Sequence, residues 1–391
     1  MMITAGIICE YNPFHNGHRY HIEQTRKAGV THVVAVMSGA FVQRGDIAIT
    51  DKWTRARYAL MGGADLVIEL PCAYAMSTAE SFARGAVHIL DKLGFVDILS
   101  FGSECGRVDL LLEAGNAARN AQSHPSLQES LKQGKSYPAA MQQIITKLFG
   151  GEIAAVFASP NNTLGIEYIQ AIHEFSSKIK PITIMRKGVA HDTNQLKNGI
   201  ASASYIRKLV RNNSGGDLSA LTPMKLTREN ITDISRLETA ILYRMRMMSA
   251  DDIQNIPDVG QGLENRICKA ARTATTLDEL LRGIKSKRYT LARLRRIVLC
   301  CLLGITKNDL QILPPYARII GVNERGFELL KTTRGETQFP LMQSLAKLRE
   351  TSPDSRRFAD LEGIAGDIFA LSYEKRHECG AEFTTSAVVI K

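Results

Sequence analysis

Ile3-Thr4-Ala5-Gly6-Ile7-Ile8-Cys9 runs directly into Glu10-Tyr11-Asn12-Pro13-Phe14-His15-Asn16-Gly17-His18-Arg19-Tyr20-His21, and the reading of this junction decides the fold. The first seven residues are short, apolar and rich in β-branched side chains, as suits a buried strand of a parallel sheet. After Gly17 the residues Tyr20, Ile22 and Ala28 fall at helical spacing, so the stretch between is a strand-to-helix turn. Pro13 fixes one backbone angle and lacks an N–H, Asn12 and Asn16 are expected to bond locally to backbone, and Gly17 permits close approach. A helix start offers unpaired N–H groups and a positive dipole end to an anion, and His15 and His18, three residues apart, add imidazole donors. Histidines on a surface turn are commonly just solvated. Position favours a phosphate site here, because open parallel sheets bind ligands at the carboxyl ends of their strands.

Working outward, short apolar strands alternate with amphipathic helices over the first two hundred residues, the pattern of a parallel α/β sheet. Strands are expected at His32–Met37, Leu66–Leu70, Asp97–Phe101 and Pro181–Met185. Phe41 to Asp46 reads as a charged loop. Asp51 is placed to cap a helix reaching Met61, with Lys52, Arg55 and Arg57 on its exposed face, and Thr78 and Gly94 bracket a helix between them. The turn Gly102-Ser103-Glu104 follows a strand and so belongs on the ligand face. Residues 116–147 are helical and polar. Gly134-Lys135-Ser136 there is not a phosphate loop, since no glycine precedes it at the needed spacing. Asn161 and Asn162 open a further helix, where capping competes with ligand contact. Arg186 and Lys187 leave the carboxyl end of a strand, which suits phosphate; His191 and Asp192 read as surface groups. Ser202 and Ser204 begin a helix with Arg207 one turn later, a set of donors for a phosphate on which charge is moving.

Asn212 to Asp217 is a linker signal, and beyond it strand patterns largely vanish in favour of helices at 231–248, 263–274, 277–284 and 291–303. The division expected is an α/β domain over 1–213 and a mainly helical one over 214–391. The chain of 391 residues carries a net charge of +10, and eleven Lys or Arg against two acids lie between Arg266 and Lys307. Arg282, Lys285, Lys287, Arg288, Arg293, Arg295 and Arg296 form its densest part, with Tyr289 placed to stack on a base. That one-signed concentration points to nucleic acid rather than a membrane. No span or secretory leader is evident, and seven cysteines without a C-x-x-C pair suggest a reducing cytoplasm. No metal-ligating set and no protein partner is evident.

Pro13-Phe14-His15-Asn16-Gly17-His18 resembles the H-x-G-H signature of the nucleotidyltransferase superfamily, relatives of class I aminoacyl-tRNA synthetases. The longer string Glu10 to His18, followed by Val36-Met37-Ser38-Gly39, resembles the bacterial tRNA(Met) cytidine acetate ligase family, over essentially the whole chain. Ile200 to Arg207 resembles the superfamily's I-S-S-T-x-x-R signature, with Ala203 and Ser204 where Ser and Thr are usual. The resemblance implies a Rossmann-like nucleotidyltransferase domain followed by the mainly helical, tRNA-binding one. It implies an ATP site made of Ile8, Cys9, Glu10, Tyr11, Asn12, Pro13, Phe14, His15, Asn16, Gly17, His18, Arg19, Tyr20, His21, Gly102, Asn161 and Arg186. His15, His18, Ser202, Ser204 and Arg207 are its expected catalytic groups. The implied reaction joins acetate to ATP as acetyl-adenylate and passes the acetyl group to N4 of the wobble cytidine of elongator tRNA(Met). The sequence does not show whether Mg²⁺ takes part. Two other functions fit the residues: adenylation of a phosphorylated metabolite, and nucleotide sensing by an RNA-binding protein without catalysis.

Overall fold

A computed structural model describes residues 2–135, 137–186, 201–212, 217–260, 262–332 and 339–391. Lys187, His191, Asp192, Ile200 and most of the linker signal lie outside the described residues. The strands are β1 (Thr4–Cys9), β2 (His32–Ser38), β3 (Phe41–Val42), β4 (Asp46–Ile47), β5 (Leu66–Leu70), β6 (Ile98–Ser103), β7 (Lys180–Met185), β8 (Ala317–Asn323), β9 (Leu341–Met342) and β10 (Val388–Ile390). The main sheet has the order β10-β8-β5-β2-β1-β6-β7, with β9 paired to β8. From β5 to β7 every pairing is parallel, and the strands that the sequence predicts are all in place.

Connections fold helices onto both faces, so β1 and β2 are buried almost throughout, consistent with their unbroken apolar composition. Asp51 accepts the Thr54 N–H at 2.7 Å, and Thr78 accepts that of Ser81 at 3.2 Å, so both expected caps form. Gly94 ends the second of these helices at φ +77°, a conformation that costs glycine little. β1 has β2 on one side and β6 on the other, so the strand order reverses there. Open α/β sheets bind ligands in the crevice at that point.

Three expectations need correction. Beyond residue 213 helices predominate, as expected, but strands persist: β8 runs antiparallel to β5, and β10 adds in parallel beyond it, so the later part of the chain extends the sheet. Lys52 and Arg55 are buried, at 2% and 0% exposure, and Arg57 is the exposed cation of that helix. Finally, the charged loop after β2 is an antiparallel β3–β4 hairpin.

Candidate functional site

His15 caps the helix Asn16–Lys27: its Nδ1 accepts the Gly17 N–H at 3.0 Å, while His18 Nδ1 accepts the His15 N–H at 3.2 Å. The rings stack with centroids 3.7 Å apart. Because both Nδ1 atoms accept backbone protons, the proton of each neutral imidazole resides on Nε2. Burial, followed by the adjoining His15 ring, the Arg186 guanidinium and the His21 ring, holds His18 well below the ordinary histidine range. Burial, then Arg186, likewise pushes His21 down to about 4. At neutral pH His18 and His21 are therefore uncharged, and His18 offers an Nε2–H donor.

The turn is fixed from below and from the side. Phe14 is fully buried against Gly62, where any side chain would overlap its ring. Its carbonyl accepts from Thr222 Oγ1 at 2.6 Å. Asn12 and Asn16 reach distant backbone: Asn12 Oδ1 accepts the Ile49 N–H at 2.7 Å, and Asn16 Nδ2 donates to the Ala220 carbonyl at 2.8 Å. Arg55 ties strand ends together, donating to the carbonyls of Glu10 at 2.7 Å and Ser38 at 2.9 Å and to those of Gly39 and Thr50. The sequence reading placed it in solvent, because charge is normally the best sign of exposure.

The second wall comes from β6, β7 and the helix Pro160–Glu174. Gly102 lies inside β6 opposite Ile184 rather than in a turn, and a Cβ there would stand 3.3 Å from Arg186 Cγ. Glu104 accepts from Asn161 Nδ2 at 2.5 Å and from the Asn162 N–H at 2.9 Å, so a carboxylate from outside the helix caps its start. Asn162 is 3% exposed and its Oδ1 accepts the N–H groups of Glu104 and Cys105. The two asparagines thus divide their tasks: Asn162 braces the turn and Asn161 reaches the cavity.

The third wall is the helix Ala203–Arg211. Ser202 caps it by accepting the Tyr205 N–H at 3.1 Å, and the Ser202 and Ser204 hydroxyls are 3.1 Å apart. Arg207 donates to the Asn12 carbonyl at 2.7 Å and so joins this wall to the histidine turn.

Together the three walls enclose a cavity of about 770 Å³. Ile8, Cys9, Glu10, Tyr11, Asn12, His15, Gly17, His18, Tyr20 and His21 line it, as do Gly102, Asn161, Arg186, Ser202, Ser204 and Arg207. Pro13, Phe14, Asn16 and Arg19 of the expected ATP-binding run do not: Pro13 and Phe14 are buried beneath the turn, Asn16 is engaged with Ala220, and Arg19 faces solvent. Gln43, Arg44, Phe82, Phe101, Tyr168 and Thr290 also line the cavity, and the sequence reading missed them. The β3–β4 hairpin brings in the first two, and Gln43 donates its N–H to Glu10 Oε1 at 2.9 Å.

Thr290 begins the helix Leu291–Leu303, so the basic segment meets the cavity at that helix's N-terminus. Its cations are not equivalent. Arg282, Lys285, Lys287, Arg288 and Arg295 are exposed. Arg296 is 9% exposed and pairs with Asp258 at 2.9 Å, and Arg293 Nη2 donates to the Asp258 carbonyl at 2.6 Å. Tyr289 is buried with its hydroxyl donating to the Gly260 carbonyl at 3.2 Å, so its ring is not presented for base stacking.

A family model described as HIGH Nucleotidyl Transferase matches residues 2–382. A tRNA(Met) cytidine acetate ligase of Acetivibrio thermocellus is 38% identical over 415 residues, covering 100% of each chain. Another, of Caldanaerobacter subterraneus subsp. tengcongensis, is 39% identical, covering 95% of this chain and 96% of its own. The crystal structure of Thermotoga maritima TmcAL bound with alpha-thio ATP superposes with a TM-score of 0.90 at 29% identity over 99% of both chains. The apo form of the same protein gives 0.90 at 28% identity. Sequence, architecture and the histidine turn at the strand-order reversal agree: the chain belongs to the HIGH nucleotidyltransferase family and, within it, to the tRNA(Met) cytidine acetate ligases.

Proposed function

We propose that this protein is an ATP-dependent ligase that activates acetate as acetyl-adenylate and transfers the acetyl group to N4 of the wobble cytidine of elongator tRNA(Met). The observation that carries the proposal is the convergence on one cavity of two neutral, Nε2-protonated histidines, Arg186, and a helix start bearing Ser202, Ser204 and Arg207. A carboxylate is already a nucleophile at neutral pH, so its attack on the α-phosphorus needs no general base. The attack requires positioning and stabilisation of charge as the bond to pyrophosphate breaks, which fixed N–H, hydroxyl and guanidinium donors supply.

His15 and His18 are assigned to the phosphates over the histidine turn, and Ser202, Ser204 and Arg207 to the departing pyrophosphate. Gly102, Asn161 and Arg186 are assigned to the rest of the nucleotide. In the second step the cytidine amine attacks the acetyl carbonyl carbon, AMP leaves, and the nitrogen loses a proton. The exposed cations of 282–295 are assigned to tRNA backbone beside the cavity mouth. Among the described residues no group of three or more His, Cys, Asp or Glu side chains is arranged to hold a metal. No helix among the described residues is long and apolar enough to cross a membrane, and all seven cysteines are free. The cytoplasm, where ATP and tRNA meet, is the compartment that fits this proposal.

Acetate-dependent exchange of labelled pyrophosphate into ATP tests the first step. The wild type is expected to exchange, and His18→Ala to lose at least about a hundredfold of that rate. Exchange that requires a phosphorylated metabolite instead of acetate would overturn the proposal.

A further inference from the structure

The cavity holds more than its phosphate donors. Ile8, Phe82, Phe101 and Tyr168 also line it, at 9%, 2%, 4% and 3% exposure. They come from β1, the helix Ala79–Leu93, β6 and the helix Pro160–Glu174, and belong to one continuous apolar cluster. Tyr168 stands edge-on to Phe101, with centroids 5.7 Å apart. Among the described residues no side chain or backbone group hydrogen-bonds its hydroxyl. The hydroxyl is not sealed by protein but opens into the cavity, where a ligand can accept its proton.

Its position narrows the ligand. Tyr168 lies seven residues beyond Asn161 on the same helix, about 10 Å along its axis. It therefore lies deeper along the helix than Asn161, against Phe101. Ile8 of the same niche directly precedes Cys9 and Glu10, so the niche lies at the carboxyl end of β1, beside the histidine turn, and burial raises the Tyr168 pKa. The shift is well above the ordinary tyrosine value, which keeps the hydroxyl a proton donor. An apolar niche with one O–H donor beside the histidine turn matches a short carboxylic acid: a methyl group for the niche and an oxygen for the donor. Glu10 opposes an anion there, but its Oε1 is engaged by the Gln43 N–H, and Arg186 and Arg207 line the same cavity.

Resting on the ligase reading, we propose that the Ile8, Phe82, Phe101 and Tyr168 niche is the acetate subsite and that the Tyr168 hydroxyl donates to the acetate oxygen that does not attack phosphorus. In adenylation the other oxygen bonds to the α-phosphorus while the bond to pyrophosphate breaks. The oxygen held by Tyr168 then becomes the acetyl carbonyl. It gains negative charge when the cytidine amine attacks and returns it as AMP departs, so one donor serves both steps.

Tyr168→Phe keeps the ring and its packing on Phe101 and removes just the hydroxyl. Two measurements follow on the full-length chain: pyrophosphate exchange at varied acetate and varied ATP, and acetyl transfer to tRNA(Met) from chemically supplied acetyl-adenylate. The variant is expected to raise KM for acetate by about tenfold or more, leave KM for ATP within about twofold, and slow transfer from the supplied adenylate by about tenfold. A rise in KM for ATP instead would assign the hydroxyl to the nucleotide and overturn the proposal. So would unchanged acetate kinetics in a variant of an active wild type. A wild type that shows no acetate-dependent exchange would remove the ligase reading and this subsite with it.

Discussion

A guanidinium keeps its proton under all conditions in which proteins fold, so Arg55, fully buried, needs an acceptor for each of its N–H groups. It finds them in carbonyls at the ends of β1 and β2 and in that of Thr50, and its positive charge is spread over three chain segments that shape the cavity floor. Lysine keeps the charge but has one nitrogen in place of a planar fork. Arg55→Lys is expected to lower unfolding free energy by about 3 kcal/mol in urea titrations and to cut acetate-dependent exchange more than tenfold, although the residue does not line the cavity. Residues such as His15 and His18 could be read from the sequence because their role is set by local backbone chemistry at a helix start. Arg55, Asn162 and Tyr168 could not, since each acts through partners far away in the chain.

Among the elements, the five parallel strands were legible because each is a short apolar run ended by a polar or Gly/Pro signal. β8 was not: Arg318 interrupts its apolar run, and its partners Glu69 and Glu382 are 249 and 64 residues distant. The basic segment was legible as a concentration of charge but not as a surface. Asp258 and nearby carbonyls engage Arg293 and Arg296, and Lys285 donates to the Tyr289 carbonyl, so Arg282, Lys287, Arg288 and Arg295 are the cations best placed for a phosphate backbone. The double variant Lys287→Glu, Arg288→Glu is expected to weaken tRNA binding and to lower the slope of log K against log salt by about two, with acetate-dependent exchange unchanged. Filter binding across a salt series measures the first, and an unaltered slope would place the RNA elsewhere. The β3–β4 hairpin touches this segment closely: a Cβ on Gly45, at φ +71°, would stand 2.6 Å from Arg295 Cβ.

Across the whole molecule, buried charge joins early and late parts of the chain. Lys52 pairs with Glu69 and Glu382, and Arg318 with the same two carboxylates. Glu362, 2% exposed, accepts the Cys72 N–H at 2.6 Å, and burial followed by repulsion from Glu69 pushes its pKa up to about 8. Its unfolded value is near 4.5, so between those limits the folded state holds the extra proton and stability falls as pH rises. Glu362→Gln keeps the acceptor for Cys72 and removes that titration. Its denaturation midpoint, compared at pH 5 and pH 8, is expected to decline less than the wild type's, and an equal decline would show that Glu362 ionises normally in the folded state. The helices from 234 to 303 interrupt one sheet, leaving it after β7 and returning to it at β8. Their core is continuous with that of the sheet and Arg296 donates to the Gln43 carbonyl of the β3–β4 hairpin, so the exposed cations are held beside the cavity mouth rather than wandering as those of a tethered module would.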